Sequence, residues 1–311
     1  MKQTVVVVVG PTAVGKTNLS VEIAKAFNGE IISGDSMQIY KGMDIGTAKV
    51  TEEEKENIPH HMIDVKEPDE SFSVAEFQSL VRKDIDKISQ RNHLPIIAGG
   101  TGLYIQSVLY DYNFSDNSRE DSYQKEIENE IKAKGILKVY ERLKEVDPKQ
   151  AEKVHPNNIR RVIRALEVYD RTGKTMSELH GEQQLESIYN PIIIGLEMDR
   201  ETLYKRINKR VDLMIKSGLV EEVEGFYNKG LKDTQSMKAI GYKEFIPFFT
   251  GEQTLQDSIE LLKRNSRRYA KRQYTWFKNK MDVTWYSISV DEKDEKFKII
   301  LNDLAGKLEQ K

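Results

Sequence analysis

The opening seventeen residues constrain this chain more than anything that follows. Thr4 to Val9 is an unbroken run of β-branched side chains, the composition of a strand covered on both faces in a parallel sheet. It leads into Gly10-Pro11-Thr12-Ala13-Val14-Gly15-Lys16-Thr17, a G-x-x-x-x-G-K-T octet, and Asn18 to Phe27 then reads as a helix. Strand, glycine loop and helix in that order make a phosphate site. The glycines let successive backbone N–H groups converge on phosphate oxygens, and the helix N-terminus adds a favourable dipole. Lys16 supplies a point charge, and Thr17 can hold Mg²⁺. The expected fold class is α/β, a P-loop NTPase-like parallel sheet core flanked by helices, with ligands at the carboxyl ends of its strands.

Two further strand candidates end in polar loops. Glu30 to Ser33 runs into Gly34-Asp35-Ser36-Met37-Gln38-Ile39-Tyr40, and Pro95 to Ala98 runs into Gly99-Gly100-Thr101-Gly102-Leu103-Tyr104. Asp35 lies where a catalytic carboxylate belongs, yet an Asp in a turn is most often a cap, and spacing alone leaves both readings open. The glycines after the third strand suit a close approach to ligand or a tight turn equally well. There are no cysteines, which removes disulfides, thiolate zinc sites and cysteine nucleophiles. Val5 to Val9 is the longest apolar run, too short for a membrane span or a signal peptide, so a cytoplasmic protein is expected.

From about Asn113 the composition turns helical and charged, until Pro191 to Leu196 resumes a buried-strand pattern. This predicts an α/β core over 1–113 and 190–311 and an inserted all-helical domain over 114–189. In the insertion, Asp147-Pro148 is a cap followed by proline at the first helical position, and Ile159, Val162, Ile163 and Leu166 form an apolar stripe. Arg160, Arg161, Arg164, Arg171 and Lys174 outnumber the nearby acids Glu167 and Asp170, which favours a phosphate-facing strip over local pairing. Beyond the insertion, Arg206 and Arg210 share a helix face, suited either to phosphates or to pairing with Glu201 and Asp212.

Charge is where averaging misleads. The chain's 48 Lys+Arg and 50 Asp+Glu give a formal net charge of −2, which by itself argues against a nucleic-acid partner. Residues 263–280, however, hold eight Lys/Arg and no acid, leaving 40 and 50 in the other 293 residues. As a helix this segment puts Ile259, Leu262, Tyr269 and Trp276 on an apolar stripe, expected to dock on the core, beside a basic face. The tail from Asp291 reads as a peripheral helix without an assigned role.

Together these motifs resemble the signature set of the bacterial tRNA dimethylallyltransferases. The phosphate octet, the Ser33-to-Tyr40 loop and Gly99-to-Tyr104 are joined in the family's order by Arg160 to Val168, Ala239-Ile240-Gly241-Tyr242 and Lys271 to Phe277. The resemblance implies transfer of a dimethylallyl group from dimethylallyl diphosphate to N6 of adenosine 37, beside the anticodon, with release of diphosphate. It implies catalytic roles for Asp35, as base, and for Thr101, hydrogen-bonding at the reacting centre from the opposite side. Diphosphate contacts are implied for Gly10 to Thr17, Arg206 and Arg210, and a Mg²⁺ cofactor for Thr17. The tRNA anticodon stem-loop would meet Asp35, Ser36, Met37, Gln38 and Thr101 in the pocket, and Arg160, Arg161 and Arg164 in the insertion. Further tRNA contacts are implied for Lys238, Gly241, Tyr242, Lys243, Lys271, Arg272, Gln273 and Trp276. Gln124 aligns with a tRNA-contacting arginine of some relatives, Gly34 replaces a usual alanine, and Lys238 stands where arginine is common.

Neither a membrane nor an obligate protein partner is expected, and a monomer is the default. The alternatives are a P-loop small-molecule kinase, an AMP-directed isopentenyltransferase and a non-catalytic RNA-binding module. The kinase leaves the acid-free basic segment without a purpose, and the RNA-binding module leaves the phosphate loop without one.

Overall fold

The computed structural model describes residues 2–110, 112, 121–182 and 186–309. The chain divides into two compact units, Met1–Leu109 with Ser187–Lys311, and Tyr110–Glu186. The breaks fall within a few residues of the expected 113/114 and 189/190.

The first unit is built on one six-stranded sheet: β1 (Thr4–Val9), β2 (Gly29–Ser33), β3 (His60–His61), β4 (Leu94–Gly99), β5 (Asn190–Glu197) and β6 (Thr284–Ser287). The order is β3-β2-β4-β1-β5-β6 and every pairing is parallel. Val6 lies between Ile96 and Ile192 in register, and Val5 to Val9 are fully buried, as a strand covered on both faces requires. From β1 the chain goes to β2 on one side and later to β5 on the other. That reversal opens a crevice at the carboxyl edge, where α/β sheets bind ligands. The phosphate octet, the Asp35 loop and the Thr101 loop all leave their strands there.

Besides a single helical turn at Glu52–Lys55, three helices precede the second unit: α1 (Lys16–Ala26), α2 (Val74–Gln90) and α3 (Gly102–Leu109). A capping box between Ser73 and Glu76 starts α2, which buries Phe77, Val81, Ile85 and Ile88 at helical spacing. At the amino end of β2, Glu30 is buried among three partners. Arg91 Nη2 donates to both carboxylate oxygens at 2.8 and 2.7 Å, and His61 Nε2 and His93 Nδ1 lie at 2.6 and 2.7 Å. Burial alone would raise the Glu30 pKa, but these bonds outweigh it and bring it down to about 2.

The second unit is helical in its described residues: α4 (Asp121–Lys134), α5 (Ile136–Val146), α6 (Pro148–Lys153), α7 (Ile159–Thr172) and α8 (Met176–Glu182). Asp147 accepts from Gln150 N at 3.0 Å and from Ser177 N at 2.9 Å, so the expected cap serves two helix starts. Val139, Leu143, Val162, Ile163 and Leu166 form the core. Two expectations are corrected here. Ile159, in the first turn of α7, is 38% exposed rather than part of the stripe. Buried Glu167 takes Arg164 at 2.7 Å and Arg171 at 3.9 Å, while Arg160, Arg161 and Lys174 of the strip are exposed.

The first unit resumes with α9 (Arg200–Lys216), α10 (Leu219–Asn228), α11 (Leu255–Lys280) and α12 (Lys293–Glu309). The tail helix α12 is a correction too. Phe297, Ile300 and Leu304 are buried in the same cluster as Val6, Leu19 and Ile23, so it closes one face of the sheet instead of lying at the periphery. Burying such side chains is worth about 2 kcal/mol each. Among the described residues no helix is long and apolar enough to cross a membrane.

Candidate active site

The phosphate loop has the backbone its glycines promise. Gly10 has φ 145°, and a Cβ there would meet the Leu196 carbonyl oxygen at 2.5 Å. Gly15 (φ 114°) caps α1 without any side-chain hydrogen bond, so the first-turn N–H groups face the loop as donors. Lys16 Nζ donates to Gly10 O and Pro11 O at 3.0 and 2.8 Å. Burial pushes its pKa down to about 7, Arg210 adds to the effect, and Asp35 opposes it. From α9, Arg206 Nε donates to Ala13 O at 2.9 Å and Arg210 Nη1 to Thr12 Oγ1 at 3.2 Å. The shared helix face is delivered to the loop. Asp212, an acid that the pairing alternative required, instead meets Lys263 at 2.8 Å.

Asp35 proves to be both turn former and cavity residue. Its Oδ1 accepts from Met37 N at 2.8 Å, the local bond expected of a turn Asp. Burial pushes the carboxyl pKa up, against the Met37 N–H and the Lys16 charge, which favour ionisation. Thr101 laces the neighbouring loop to this one: its N–H donates to Gly34 O at 3.2 Å, and its Oγ1 accepts from Ser36 N at 3.2 Å. A cavity of about 200 Å³ joins Thr12 and Arg210 to Asp35, Ser36 and Met37, and it continues over an apolar wall that includes Ile207, Val211 and Met214.

This architecture has close counterparts. The IPP transferase family model matches residues 38–280. A tRNA dimethylallyltransferase of Oceanobacillus iheyensis is 60% identical over 311 residues, covering 100% of this chain and 99% of that protein. The crystal structure of the tRNA isopentenylpyrophosphate transferase of Bacillus halodurans superposes with a TM-score of 0.75 at 49% identity, over 100% of this chain and 98% of that one. The chain belongs to the tRNA dimethylallyltransferase family. The likeness extends to a eukaryotic dimethylallyltransferase acting on tRNA, with a TM-score of 0.79 at 33% identity, over 92% of this chain and 74% of that one. Membership in this family of transferases disfavours the small-molecule kinase and AMP-directed readings.

Several residues that resemblance to the tRNA dimethylallyltransferases marked for tRNA have other work in the fold. Gln273 is buried; its Oε1 accepts from Thr12 N at 2.8 Å and its Nε2 donates to Gly100 O at 3.1 Å, bracing two loops. Tyr242 is fully buried and donates its O–H to Glu222 Oε1 at 2.6 Å, so its side chain belongs to the core. Gln38 accepts from Ser33 Oγ at 2.8 Å and donates to Thr47 O and Ala48 O at 3.3 and 3.2 Å, holding loops rather than presenting a free amide. Gln124 donates to Glu128 at 2.7 Å within its own helix. Gly241 is buried, whereas Lys238, Lys243, Lys271 and Arg272 are exposed.

On α11 the buried side is Ser258, Leu262, Ala270, Gln273 and Phe277. Tyr269, placed in the core stripe by sequence, faces the cavity instead. Burial and the Asp35 charge push its hydroxyl up to about 12. Trp276 is half-buried against Gly102, and its Nε1 is buried without a hydrogen-bond partner. Of the basic run, Lys263 and Lys278 have acid partners and Arg267 donates to Asn208 at 2.6 Å, while Arg264, Arg268, Lys271 and Arg272 face solvent.

Proposed function

We propose that this chain transfers the dimethylallyl group of dimethylallyl diphosphate to N6 of adenosine 37 in the tRNA anticodon loop. The observation that carries the reading is the single cavity with a phosphate loop at one end and the Asp35 carboxylate on its wall. The loop amides, Lys16, Arg206 and Arg210 bind the diphosphate and stabilise the charge it acquires on leaving. The N6 lone pair forms the new bond to C1 of the prenyl group, the C1–O bond breaks with its electrons going to diphosphate, and the N6 proton passes to Asp35. Adenine N6 is a weak nucleophile because its lone pair is delocalised, so the proton acceptor matters. Thr101 and Ser36, already hydrogen-bonded to each other, hold the base at that point.

A Mg²⁺ ion would suit the phosphate loop, because this ion typically takes one or two protein oxygens, with phosphates and waters completing its shell. Thr17 would supply a hydroxyl. When bound, the ion would neutralise charge developing on the diphosphate.

Arg160, Arg161, Arg268, Lys271 and Arg272, all solvent-facing, are the candidates for tRNA phosphates. Adenosine 37 must leave its stack to reach the cavity, at a cost of a few kcal/mol met by contacts in the pocket. The test is to incubate the chain with radiolabelled dimethylallyl diphosphate, unmodified tRNA, AMP and Mg²⁺ and to follow the label. Label in tRNA at adenosine 37 supports the reading; label in AMP, or none transferred, overturns it.

A further inference from the structure

One wall of the cavity is held in place by a carboxylate that lies outside it. Residues 44–46 turn so that three successive backbone N–H groups point at one side chain. Asp44 N and Ile45 N donate to Glu222 Oε2 at 3.0 and 2.8 Å, and Gly46 N donates to Oε1 at 3.1 Å. The buried Tyr242 O–H completes the set on Oε1 at 2.6 Å. Glu222 itself does not line the cavity, but Gly46, Thr47 and Ala48, the end of the loop it clamps, do.

The clamp fixes two walls against each other. A Cβ at Gly46 would meet the Tyr242 ring at 2.5 Å, so that ring sets how closely the loop approaches the segment carrying Ala239 and Ile240, which also line the cavity. That segment is anchored in turn by buried Glu244, which accepts from Gly241 N at 2.9 Å and from Asn265 Nδ2 at 2.8 Å. On the other side Gln38 ties Thr47 O and Ala48 O to the loop that carries Asp35. Displacing the loop therefore moves this part of the cavity lining.

We propose that Glu222 is a specificity-determining positioning residue, which holds Gly46, Thr47 and Ala48 as the stop for the prenyl tail and so restricts the donor to a five-carbon group. The inference rests on the prenyl-transfer reading above. Charge orients the donor: the diphosphate belongs with Thr12 and Arg210, leaving the tail to the apolar wall. Space makes the stop matter, because a cavity of about 200 Å³ is smaller than the roughly 300–1,000 Å³ of common ligand pockets. Chemistry explains the residue type. An ionised carboxylate offers about four acceptor sites, enough for four donors, whereas a glutamine amide would turn an NH₂ toward one pair of them.

The experiment measures kcat and KM with the full chain, unmodified tRNA and Mg²⁺, using dimethylallyl diphosphate and geranyl diphosphate as separate donors, alongside thermal unfolding. For Glu222→Gln the ratio of kcat/KM, dimethylallyl over geranyl, should fall roughly tenfold, the scale of one or two lost hydrogen bonds. Dimethylallyl KM should rise while relative geranyl use increases. Tyr242→Phe removes one donor and keeps the ring, so it should shift the ratio in the same direction by about threefold, and it decides the matter if Glu222→Gln does not fold. Equal loss on both donors, or an unchanged ratio, overturns the inference and makes the clamp purely structural. A wild-type chain that prenylates no tRNA from dimethylallyl diphosphate removes the reading beneath it, an outcome distinct from an unchanged ratio.

Discussion

Two carboxyl groups, one buried and one half-buried, stand five residues apart toward opposite ends of the same strand, and the protein treats them in opposite ways. Glu30, at the amino end of β2, has a guanidinium and two imidazoles around it and is drawn down to about 2. Asp35, past the carboxyl end of β2, has a backbone N–H in direct contact and the Lys16 charge nearby, and burial pushes it up. A carboxylate with satisfied lone pairs and matched charge is a structural tie. One held in a cavity without an ion-pair partner in contact is a group kept ready to take a proton.

The largest expected effect tests that contrast at its functional end. Asp35→Asn should lower turnover by at least about two orders of magnitude, the range of general-base catalysis, while tRNA affinity measured by filter binding stays nearly intact. Its melting temperature should hold or rise, because the ionised form is disfavoured in the fold. Near-normal turnover would remove Asp35 from the mechanism.

Glu30→Gln should do the reverse. Turnover per folded molecule stays unchanged, and stability falls by roughly 2 kcal/mol in urea unfolding, less than the roughly 3–5 kcal/mol of a fully buried pair because Arg91 is half exposed. The pH dependence follows from the lowered pKa. Since the folded value of about 2 lies below the ordinary 4.5, the stabilisation is complete above about pH 4.5 and disappears as pH falls toward 2. The variant should lack that part of the acid unfolding profile.

Smaller effects sharpen the comparison on α11, where one helix carries a loop brace and a solvent-facing basic row. Arg268→Glu with Arg272→Glu should weaken tRNA binding about tenfold and reduce the log–log salt slope by nearly 2, while leaving donor KM alone. An unchanged slope would place the tRNA footprint elsewhere. Gln273→Ala should show the opposite pattern: donor KM rises about fivefold, the scale of a lost loop hydrogen bond, and the salt slope stays constant.

Local pattern made some of this legible in the sequence. The β-branched runs gave four of the six strands, and the octet gave the phosphate loop, because both depend on residues adjacent in the chain. The other two strands escaped for physical reasons. β3 is two histidines long, and β6 is a four-residue edge strand with half-exposed positions, so neither carries a hydrophobic period. The tail helix read as peripheral because its apolar side has meaning only against β1 and α1, almost three hundred residues away. In the candidate site, motif resemblance drew the right loops together but could not separate side chains that face the cavity from those that brace it. Gln273 and Tyr242 sit in motif segments yet point inward, whereas Tyr269 faces the cavity. Glu222 carries no local signal, since its four donors come from two distant segments.

The strand order also governs the timing of synthesis. β1 occupies residues 4–9, and one of its two edges is completed only by β5 at residues 190–197. At about 5–20 residues per second on the ribosome, that edge waits roughly 10–40 s with its valines and backbone groups unmatched. The helical unit, Tyr110–Glu186, emerges wholly within the interval and makes its own core before the strand that follows it can dock. The most apolar segment of the chain is thus exposed to nascent-chain aggregation throughout that interval. Substitutions that slow β5 pairing should appear first as lost yield and only later as lost activity.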